Sequence, residues 1–210
     1  MAVTRWHPGP PSIFARRTVG LFGGSFNPAH DGHAYIARTA IERLGLDEVW
    51  WLVSPGNPLK VARGMAPLED RFASAVARAG NGCMRVTDIE RQLGTAFTAE
   101  AVTKLVVRYP RLSFVWIMGA DNLVQIPAWK DWSAIFHTVP VAVFARPHYI
   151  ERALSGAASA RFREARLPQG AARNLPRHTP PAWVFIHSRL HAASASAIRA
   201  RRQGASPAPG

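Results

Sequence analysis

The chain has 210 residues, of which 48% are hydrophobic, so it can bury one sizeable core and is not expected to be globally disordered. No hydrophobic run approaches the length of a membrane span, and the single cysteine, Cys83, excludes an internal disulfide; we interpret the chain as cytoplasmic and Cys83 as a small core residue. The net charge of +13 is not accompanied by a nucleic-acid-binding motif and therefore does not predict a DNA or RNA partner.

The first predicted element is a buried strand, indicated by a short apolar run at residues 19–22. Gly23 and Gly24 follow it directly, at a point where the backbone can approach a ligand that a Cβ atom would block. The sequence beyond them lacks the Gly-Lys-Ser/Thr of the Walker motif and the third glycine of the dinucleotide-binding fingerprint. The two glycines therefore belong to neither of these phosphate-binding motifs.

A helix is predicted to begin near Ala29, because Asn27 can cap a helix and Pro28 presets φ for its first turn. His30 and His33 are three residues apart and so lie on the same side of that turn. A helix N-terminus offers unpaired N–H groups and a partial positive charge, and imidazoles can donate hydrogen bonds to phosphoryl oxygens. The pattern favours phosphate binding; the alternative is a strand–turn–helix unit with two solvated histidines.

The segment Gly-Gly-Ser-Phe-Asn-Pro-Ala-His-Asp-Gly-His, residues 23–33, resembles the signature of the nucleotidyltransferase superfamily with a His-x-Gly-His motif. Within that superfamily it is most similar to the nicotinate-nucleotide adenylyltransferase family. Ser25 stands where this family usually has Thr, and Asn27 where it has Asp, so the hydroxyl and the capping ability are kept. The resemblance implies that Ser25 binds ATP phosphates together with the two glycines, and that His30 and His33 are catalytic.

The next predicted elements are a buried strand at residues 49–53, a loop at 54–60, a helix at 67–79 and a short strand at 83–86. In the family the loop carries basic groups towards the phosphates. Lys60 stands at that basic position, although Leu59 replaces the usual His. The resemblance implies that Lys60 binds ATP phosphate, and a solvated loop lysine is the alternative.

A further helix is predicted over residues 98–108, and Thr98 makes a good N-cap, which alone would explain that residue. Residues 97–102 also resemble the Tyr-Thr-x-x-Thr-Leu segment of the family, with Phe97 in place of Tyr and without the later Thr-Leu pair. The resemblance implies that Phe97, Thr98 and Ala99 hold the nicotinate ring and its carboxylate, with backbone N–H groups as donors.

The clearest central strand is predicted at residues 112–118, and Asp121 follows it. Because ligands lie at the carboxyl ends of parallel strands, Asp121 can either cap the next helix or accept hydrogen bonds from ribose hydroxyls. Its segment resembles the Gly-x-Asp-Ser/Asn-Leu motif of the family, which implies a place close to the bound nucleotide. Trp129 matches the Pro-x-Trp of the family, whose indole is implied to stack on the pyridine ring, and Lys130 can contact a carboxylate; core packing is the alternative for Trp129.

Two more strands are predicted at residues 139–144 and 183–186. Arg146, just after the first of them, either touches a ligand or forms a surface ion pair. Residues 150–181 are rich in Ala, Arg and Pro with weak periodicity, which indicates one or two short helices and a mobile loop.

Residues 194–199 place hydroxyls and N–H groups at a helix start and an arginine on the next turn, which suits phosphate; a plain N-cap is the alternative. The segment resembles the Ile-Ser-Ser-Thr-x-Ile-Arg motif of the family. The resemblance implies that Ser194 and Ser196 bind ATP phosphates and that Arg199 is catalytic. No residue is predicted to bind a metal ion directly.

The predicted fold is α/β, a single domain at residues 18–202 with a Rossmann-like, doubly wound parallel sheet, a flexible N-terminal extension at 1–17 and a disordered tail at 203–210. The resemblance implies transfer of the adenylyl group of ATP, with Mg²⁺, to nicotinate mononucleotide, giving nicotinate adenine dinucleotide and pyrophosphate in NAD biosynthesis. Neither nucleic acid nor a membrane is an expected partner, and a homo-oligomer stays possible. The alternatives are nicotinamide mononucleotide or phosphopantetheine as acceptor, or an inactive basic module that binds nucleotides or RNA.

Overall fold

The computed structural model describes residues 5–10, 16–55, 64–80 and 82–188. Its strands are β1 (Arg17–Gly24), β2 (Glu48–Val53), β3 (Met84–Thr87), β4 (Leu112–Gly119), β5 (Val141–Phe144), β6 (Arg166–Leu167) and β7 (Trp183–Ile186). They form one parallel sheet in the order β3-β2-β1-β4-β5-β7-β6. The chain builds the sheet outwards from β1 to β3, then returns to the other side of β1 at β4. The predicted doubly wound, Rossmann-like sheet is confirmed.

The helices connect the strands and cover the two faces of the sheet. They are α1 (Asp31–Leu44), α2 (Leu68–Ala79), α3 (Ile89–Gln92), α4 (Thr98–Arg108), α5 (Ala120–Gln125), α6 (Trp132–Thr138), α7 (Ile150–Leu154) and α8 (Ala157–Arg161). Short 3-10 segments lie at Ile126–Ala128, Arg163–Ala165 and Gln169–Arg177. Within the described ranges, no helix has the length and apolar character needed to cross a membrane.

The sheet buries apolar side chains on both faces because successive strand residues point to opposite sides. Trp50 and Leu52 on β2 pack in one core cluster with Trp116 of β4. Trp51, between them on the same strand, packs in the second cluster with Phe22 of β1. Every residue of β2 is buried, which explains why its sequence is almost uninterruptedly apolar.

One local prediction is wrong and another is incomplete. β3 begins at Met84, and Cys83 is exposed in the turn before it rather than buried in the core. The short helices predicted within residues 150–181 are confirmed by α7 and α8, but the same segment also contains the short strand β6, which pairs with β7. A strand of two residues is too short to show the alternation of apolar and polar residues by which strands are predicted.

The described start of the chain packs against the domain, although it belongs to the segment predicted to be a flexible extension. The Trp6 ring meets the Trp50 ring edge-on, with 5.2 Å between their centroids. The Arg5 guanidinium donates to the Asp88 carboxylate at 2.9 Å. These contacts attach the segment to β2 and to the chain that follows β3.

Replacing Trp6 with Ala should therefore lower the free energy of unfolding by about 2 kcal/mol, because the edge-on contact and part of the burial of both indoles are lost. Urea unfolding followed by far-UV circular dichroism measures the change. Val107→Ala is the control: this side chain is 77% exposed on α4, and its loss should change stability by less than about 0.5 kcal/mol. Equal stabilities of Trp6→Ala and the wild type would show that the contact contributes nothing.

Candidate active site

The strand order reverses between β1 and β4, and the carboxyl ends of strands at such a point are where open α/β sheets bind ligands. A pocket of about 290 Å³ lies at these strand ends. It is lined by the predicted site residues Gly23, Gly24, Ser25, Phe97, Thr98, Trp129 and Lys130. Its other lining residues are Ser54, Glu90, Ala96, Trp116, Asn122 and Ala128. Residues far apart in the sequence thus meet in one cavity.

His30 and His33 lie at the start of α1, after the loop whose first residue, Ser25, lines the pocket; neither histidine is itself a lining residue. The backbone N–H of His30 donates to Nδ1 of His33 at 3.2 Å, so a neutral His33 ring carries its proton on Nε2. Burial, and then the nearby charges of His30 and Arg146, hold the pKa of His33 well below its ordinary value. The ring is therefore neutral at pH 7. It offers an Nε2–H donor at a helix N-terminus, an arrangement suited to a phosphoryl oxygen.

The first turn of α1 differs from the prediction. The helix begins at Asp31 with His30 at the N-cap, later than expected, and Asn27 does not cap it. Instead, the Asn27 amide donates to the carbonyl of Gly64 at 2.8 Å and accepts from the N–H of Ala66 at 3.1 Å. Asn27 therefore ties the loop after β1 to the chain that precedes α2.

Gly23 and Gly24, the last two residues of β1, leave room for aromatic rings. A Cβ atom on Gly23 would lie 2.3 Å from Cη2 of Trp116, and one on Gly24 would lie 3.2 Å from the Phe26 ring. At Gly23 the space of the absent Cβ is filled by Trp116, while the glycine itself lines the pocket, so the close approach of a ligand to its backbone stays a prediction. Gly23 is still required, since any side chain there would displace the indole.

A buried arginine that no motif marked holds the same loop. Arg71 on α2 is only 2% exposed. Its guanidinium donates to the carbonyls of Ser25 and Ser54, each at 2.8 Å, and to those of Ala66 at 3.0 Å and Pro55 at 3.2 Å. The loop after β1 and the end of β2 are thereby fastened to α2. The available sequence signal was an arginine beside Phe72, on the apolar face of the helix.

An aromatic and cationic wall closes the other end of the pocket. Nζ of Lys130 lies 4.4 Å from the centroid of the Phe97 ring, within the range of a cation–π contact. Trp129 also lines the pocket and packs against the core, so the core-packing interpretation is confirmed, whereas stacking on a pyridine ring stays a prediction. Lys130 itself is exposed, and its ammonium group can reach an anionic ligand in the pocket.

The start of α4 also forms part of this wall. Thr98 is the first residue of the helix and not its N-cap, which is Phe97. No side chain caps this helix start; the Thr95 hydroxyl accepts from the N–H of Phe97 at 3.1 Å and donates to Glu100 at 2.8 Å, which ties the turn before α4 to its first turn. Ala99 is buried in the core behind the pocket, so its side chain does not line the cavity.

Asp121 and Arg146 form an ion pair at the end of β4. Oδ1 of Asp121 lies 3.3 Å from Nε of Arg146, and both side chains are partly buried. Of the two alternatives for Asp121, capping of α5 is excluded, since the N-cap is Gly119, and a place close to the bound nucleotide stays a prediction. A Cβ atom on Gly119 would lie 2.3 Å from that same Oδ1, so the glycine is needed for the carboxylate to reach Arg146.

Glu90 is a buried acid in the pocket wall that sequence reasoning did not single out. It lies on α3 and is 3% exposed. Burial raises the pKa of Glu90 to about 7, opposed by a hydrogen bond with Ser54. Its carboxyl group therefore changes charge near neutral pH.

Four predicted site residues lie outside the described residues. They are Lys60, Ser194, Ser196 and Arg199. Their roles stay predictions from the resemblance.

Comparisons with known proteins agree with this geometry. Residues 21–201 match the model of the cytidylyltransferase-like family. A protein of Roseobacter denitrificans named "Probable nicotinate-nucleotide adenylyltransferase" is 48% identical over 193 residues, covering 92% of this chain and 96% of its own. A protein of the same name from Caulobacter sp. is 48% identical over 184 residues, covering 88% of this chain and 97% of its own.

Solved structures support the fold. The Plasmodium falciparum nicotinic acid mononucleotide adenylyltransferase complexed with NaAD is 14% identical and has a TM-score of 0.67, covering 88% of this chain and 83% of its own. The sheet order, the family model and the relatives thus point the same way. The chain belongs to the cytidylyltransferase-like family, and within it to the nicotinate-nucleotide adenylyltransferases.

Proposed function

We propose that the protein transfers the adenylyl group of ATP to nicotinate mononucleotide, giving nicotinate adenine dinucleotide and pyrophosphate in NAD biosynthesis. One observation carries the proposal: a single pocket joins the loop before the His30–His33 helix start to the wall of Trp129 and Lys130. The first end suits phosphates, and the second suits an aromatic ring with an anionic substituent. The names of the relatives at 48% identity support the same reaction.

In this reaction a phosphate oxygen of nicotinate mononucleotide attacks the α-phosphorus of ATP. The bond from that phosphorus to the bridging oxygen of the β-phosphate breaks, and pyrophosphate leaves with the electron pair. Because the substrate supplies the nucleophile, the protein acts by positioning and by stabilising charge. The Nε2–H of His33 and the N-terminus of α1 donate to phosphoryl oxygens, and His30 orients the His33 ring through its backbone N–H. Lys60 and Arg199 add positive charge, as the resemblance implies.

Mg²⁺ enters with ATP in this proposal. Among the described residues, no group of three or more His, Cys, Asp or Glu side chains could hold a metal ion. Mg²⁺ binds through substrate phosphates and water more often than in an all-protein cage. When bound, it neutralises part of the triphosphate charge.

The ring end of the pocket binds the acceptor. The Trp129 indole stacks on the pyridine ring, Phe97 contacts its edge, and Lys130 faces the carboxylate together with the N–H groups at the start of α4. Asp121 accepts hydrogen bonds from ribose hydroxyls while it stays paired with Arg146.

Lys130→Met should raise KM for nicotinate mononucleotide about tenfold, because a charge-assisted contact with the carboxylate is lost. KM for nicotinamide mononucleotide, which lacks the carboxylate, should change by less than about twofold. Steady-state pyrophosphate release measures both. Lys104→Met is the matched control, since Lys104 lies on α4 and pairs with Glu100 outside the pocket lining. An equal rise in KM for both acceptors would show that Lys130 does not recognise the carboxylate.

The proposed reaction is tested by identifying its products. Purified protein is incubated with ATP, Mg²⁺ and nicotinate mononucleotide. The products are then separated by chromatography and identified and quantified by mass spectrometry. We expect nicotinate adenine dinucleotide and pyrophosphate in equal amounts. Formation of AMP or ADP without a dinucleotide would contradict adenylyl transfer.

A further inference from the structure

Arg71 carries a buried positive charge that no carboxylate neutralises. All 13 Asp and Glu side chains of the chain belong to the described residues. The ion pairs that they form within 4.0 Å do not include Arg71. The guanidinium is bonded to four backbone carbonyls instead. A buried charge without a counter-charge is costly, which calls for an explanation beyond packing.

The four carbonyls show which parts of the molecule the charge connects. Ser25 belongs to the loop after β1, and Ser54 and Pro55 follow β2. Both serines line the pocket. The guanidinium thus lies directly behind two stretches of the pocket wall, at the end where we place the phosphates.

A second residue of α2 holds the same loop. Ser74, one turn after Arg71, accepts from the N–H of Ala29 at 3.1 Å, and its hydroxyl lies 3.5 Å from the carbonyl of Phe26. α2 is therefore attached to the loop at two residues, Arg71 and Ser74, through three hydrogen bonds. The loop ends at His30, the N-cap residue of α1, so its course sets where the first turn of α1 stands.

We propose that Arg71 is a positioning residue for adenylyl transfer: its guanidinium fixes the loop that leads to His30 and His33, and bound phosphates serve as its counter-charge. The inference rests on the proposed function. A planar fork with five donors can hold several carbonyls at once, whereas an ammonium group cannot reproduce that geometry. The substitution Arg71→Lys therefore keeps the positive charge but loses the planar guanidinium, and Arg71→Met loses both.

The test compares kcat and KM of Arg71→Lys and Arg71→Met with the wild type, each corrected for the folded fraction measured by circular dichroism. We expect kcat per folded molecule to fall about 100-fold in Arg71→Met and about tenfold in Arg71→Lys, since misplacing a catalytic group can cost two orders of magnitude. KM for nicotinate mononucleotide should stay within threefold, because the ring wall is built from other elements.

Two controls show whether kcat falls because the loop before His30 is misplaced. Arg78→Met makes the same change on α2 at an arginine that is half-exposed and pairs with Asp31, and kcat should stay within twofold. Arg71→Ala leaves a cavity, and millimolar guanidinium ion should restore kcat several-fold, whereas methylammonium should not. A kcat per folded molecule equal to that of the wild type in both Arg71 variants would overturn the proposal and leave Arg71 with a role in stability alone. If Arg71→Met does not fold, Arg71→Lys decides.

A failure of the proposed function can be distinguished from a failure of the Arg71 proposal by measuring ATP binding. If the wild type does not react with nicotinate mononucleotide, the acceptor is wrong, and Arg71 is then judged by calorimetric binding of ATP. Binding by Arg71→Met at least tenfold weaker than by the wild type would still support a phosphate counter-charge. Equal affinities, or no binding by the wild type, would overturn it.

Discussion

Replacement of His33 with Ala is expected to lower kcat about 100- to 1,000-fold, the usual loss when one preorganised donor to a developing charge is removed. His33 is neutral at pH 7 because burial and the charges of His30 and Arg146 hold its pKa well below its ordinary value. Its Nδ1 accepts from the backbone of His30, which leaves Nε2–H as the donor that the proposed function assigns to the substrate phosphate. Ala removes that donor and no charge, so KM for ATP should change much less than kcat.

The His33 experiment needs a control for the loss of an imidazole elsewhere. His137→Ala serves, because His137 is exposed on α6, away from the pocket lining. Far-UV circular dichroism and urea unfolding confirm that each variant is folded at the assay temperature. If folded His33→Ala has a kcat within threefold of the wild-type value, His33 does not contribute to catalysis.

The second large expected effect is on stability: Glu90→Gln should make the protein more stable than the wild type at pH 8, by about 2 to 3 kcal/mol. The folded-state pKa of Glu90 is raised from 4.5 to about 7 by burial. A group whose pKa is raised by folding favours the folded state fully below its unfolded pKa, and this contribution is lost as pH rises through the folded value. The wild type therefore loses stability between pH 4.5 and 7, whereas Gln imitates the protonated acid at every pH.

Urea unfolding of both proteins at pH 5 and at pH 8 measures the Glu90 effect. We expect a small difference at pH 5 and the full difference at pH 8, since other titrating groups contribute equally to both proteins. Glu164→Gln is the matched control. This side chain is 92% exposed, so its replacement should change the free energy of unfolding by the same small amount at pH 5 and at pH 8. A difference between Glu90→Gln and the wild type that is the same at both pH values would show that Glu90 is not protonated by burial.

Much of the sheet could be predicted because buried parallel strands are continuous apolar runs. The strand predicted at residues 183–186 matches β7, and the helix predicted over residues 98–108 matches α4. Several site residues were found by motif, because a motif records local chemistry: Gly23, Gly24 and Ser25 follow one another along the chain and line the same pocket.

Asn27 and Asp121 do not cap a helix, and one physical reason covers both. Each is a residue type that can cap a helix, and each lies near a helix start. In the folded chain Asn27 bonds to the segment before α2, and Asp121 pairs with Arg146. A tertiary partner competes with the local cap, and a single sequence does not show which partner wins.

Arg71 and Glu90 could not be assigned from the sequence because their partners are distant. Arg71 and its acceptor Ser25 are 46 residues apart, and no periodicity links them. Glu90 bonds to Ser54, which lies on a different strand connection. Both residues look like ordinary charged positions on short or amphipathic helices, and only the three-dimensional arrangement shows that they are buried beside the pocket.

The most direct measurement is kcat/KM for pyrophosphate release with ATP and Mg²⁺, determined separately for nicotinate mononucleotide, nicotinamide mononucleotide and phosphopantetheine. We expect nicotinate mononucleotide to be preferred by about 100-fold or more, because the proposed contacts of its carboxylate with Lys130 and the N–H groups at the start of α4 are missing for the other two acceptors. A preference for either of the other acceptors would keep the adenylyl chemistry and contradict the assigned substrate. No pyrophosphate release with any of the three would contradict the enzymatic function itself.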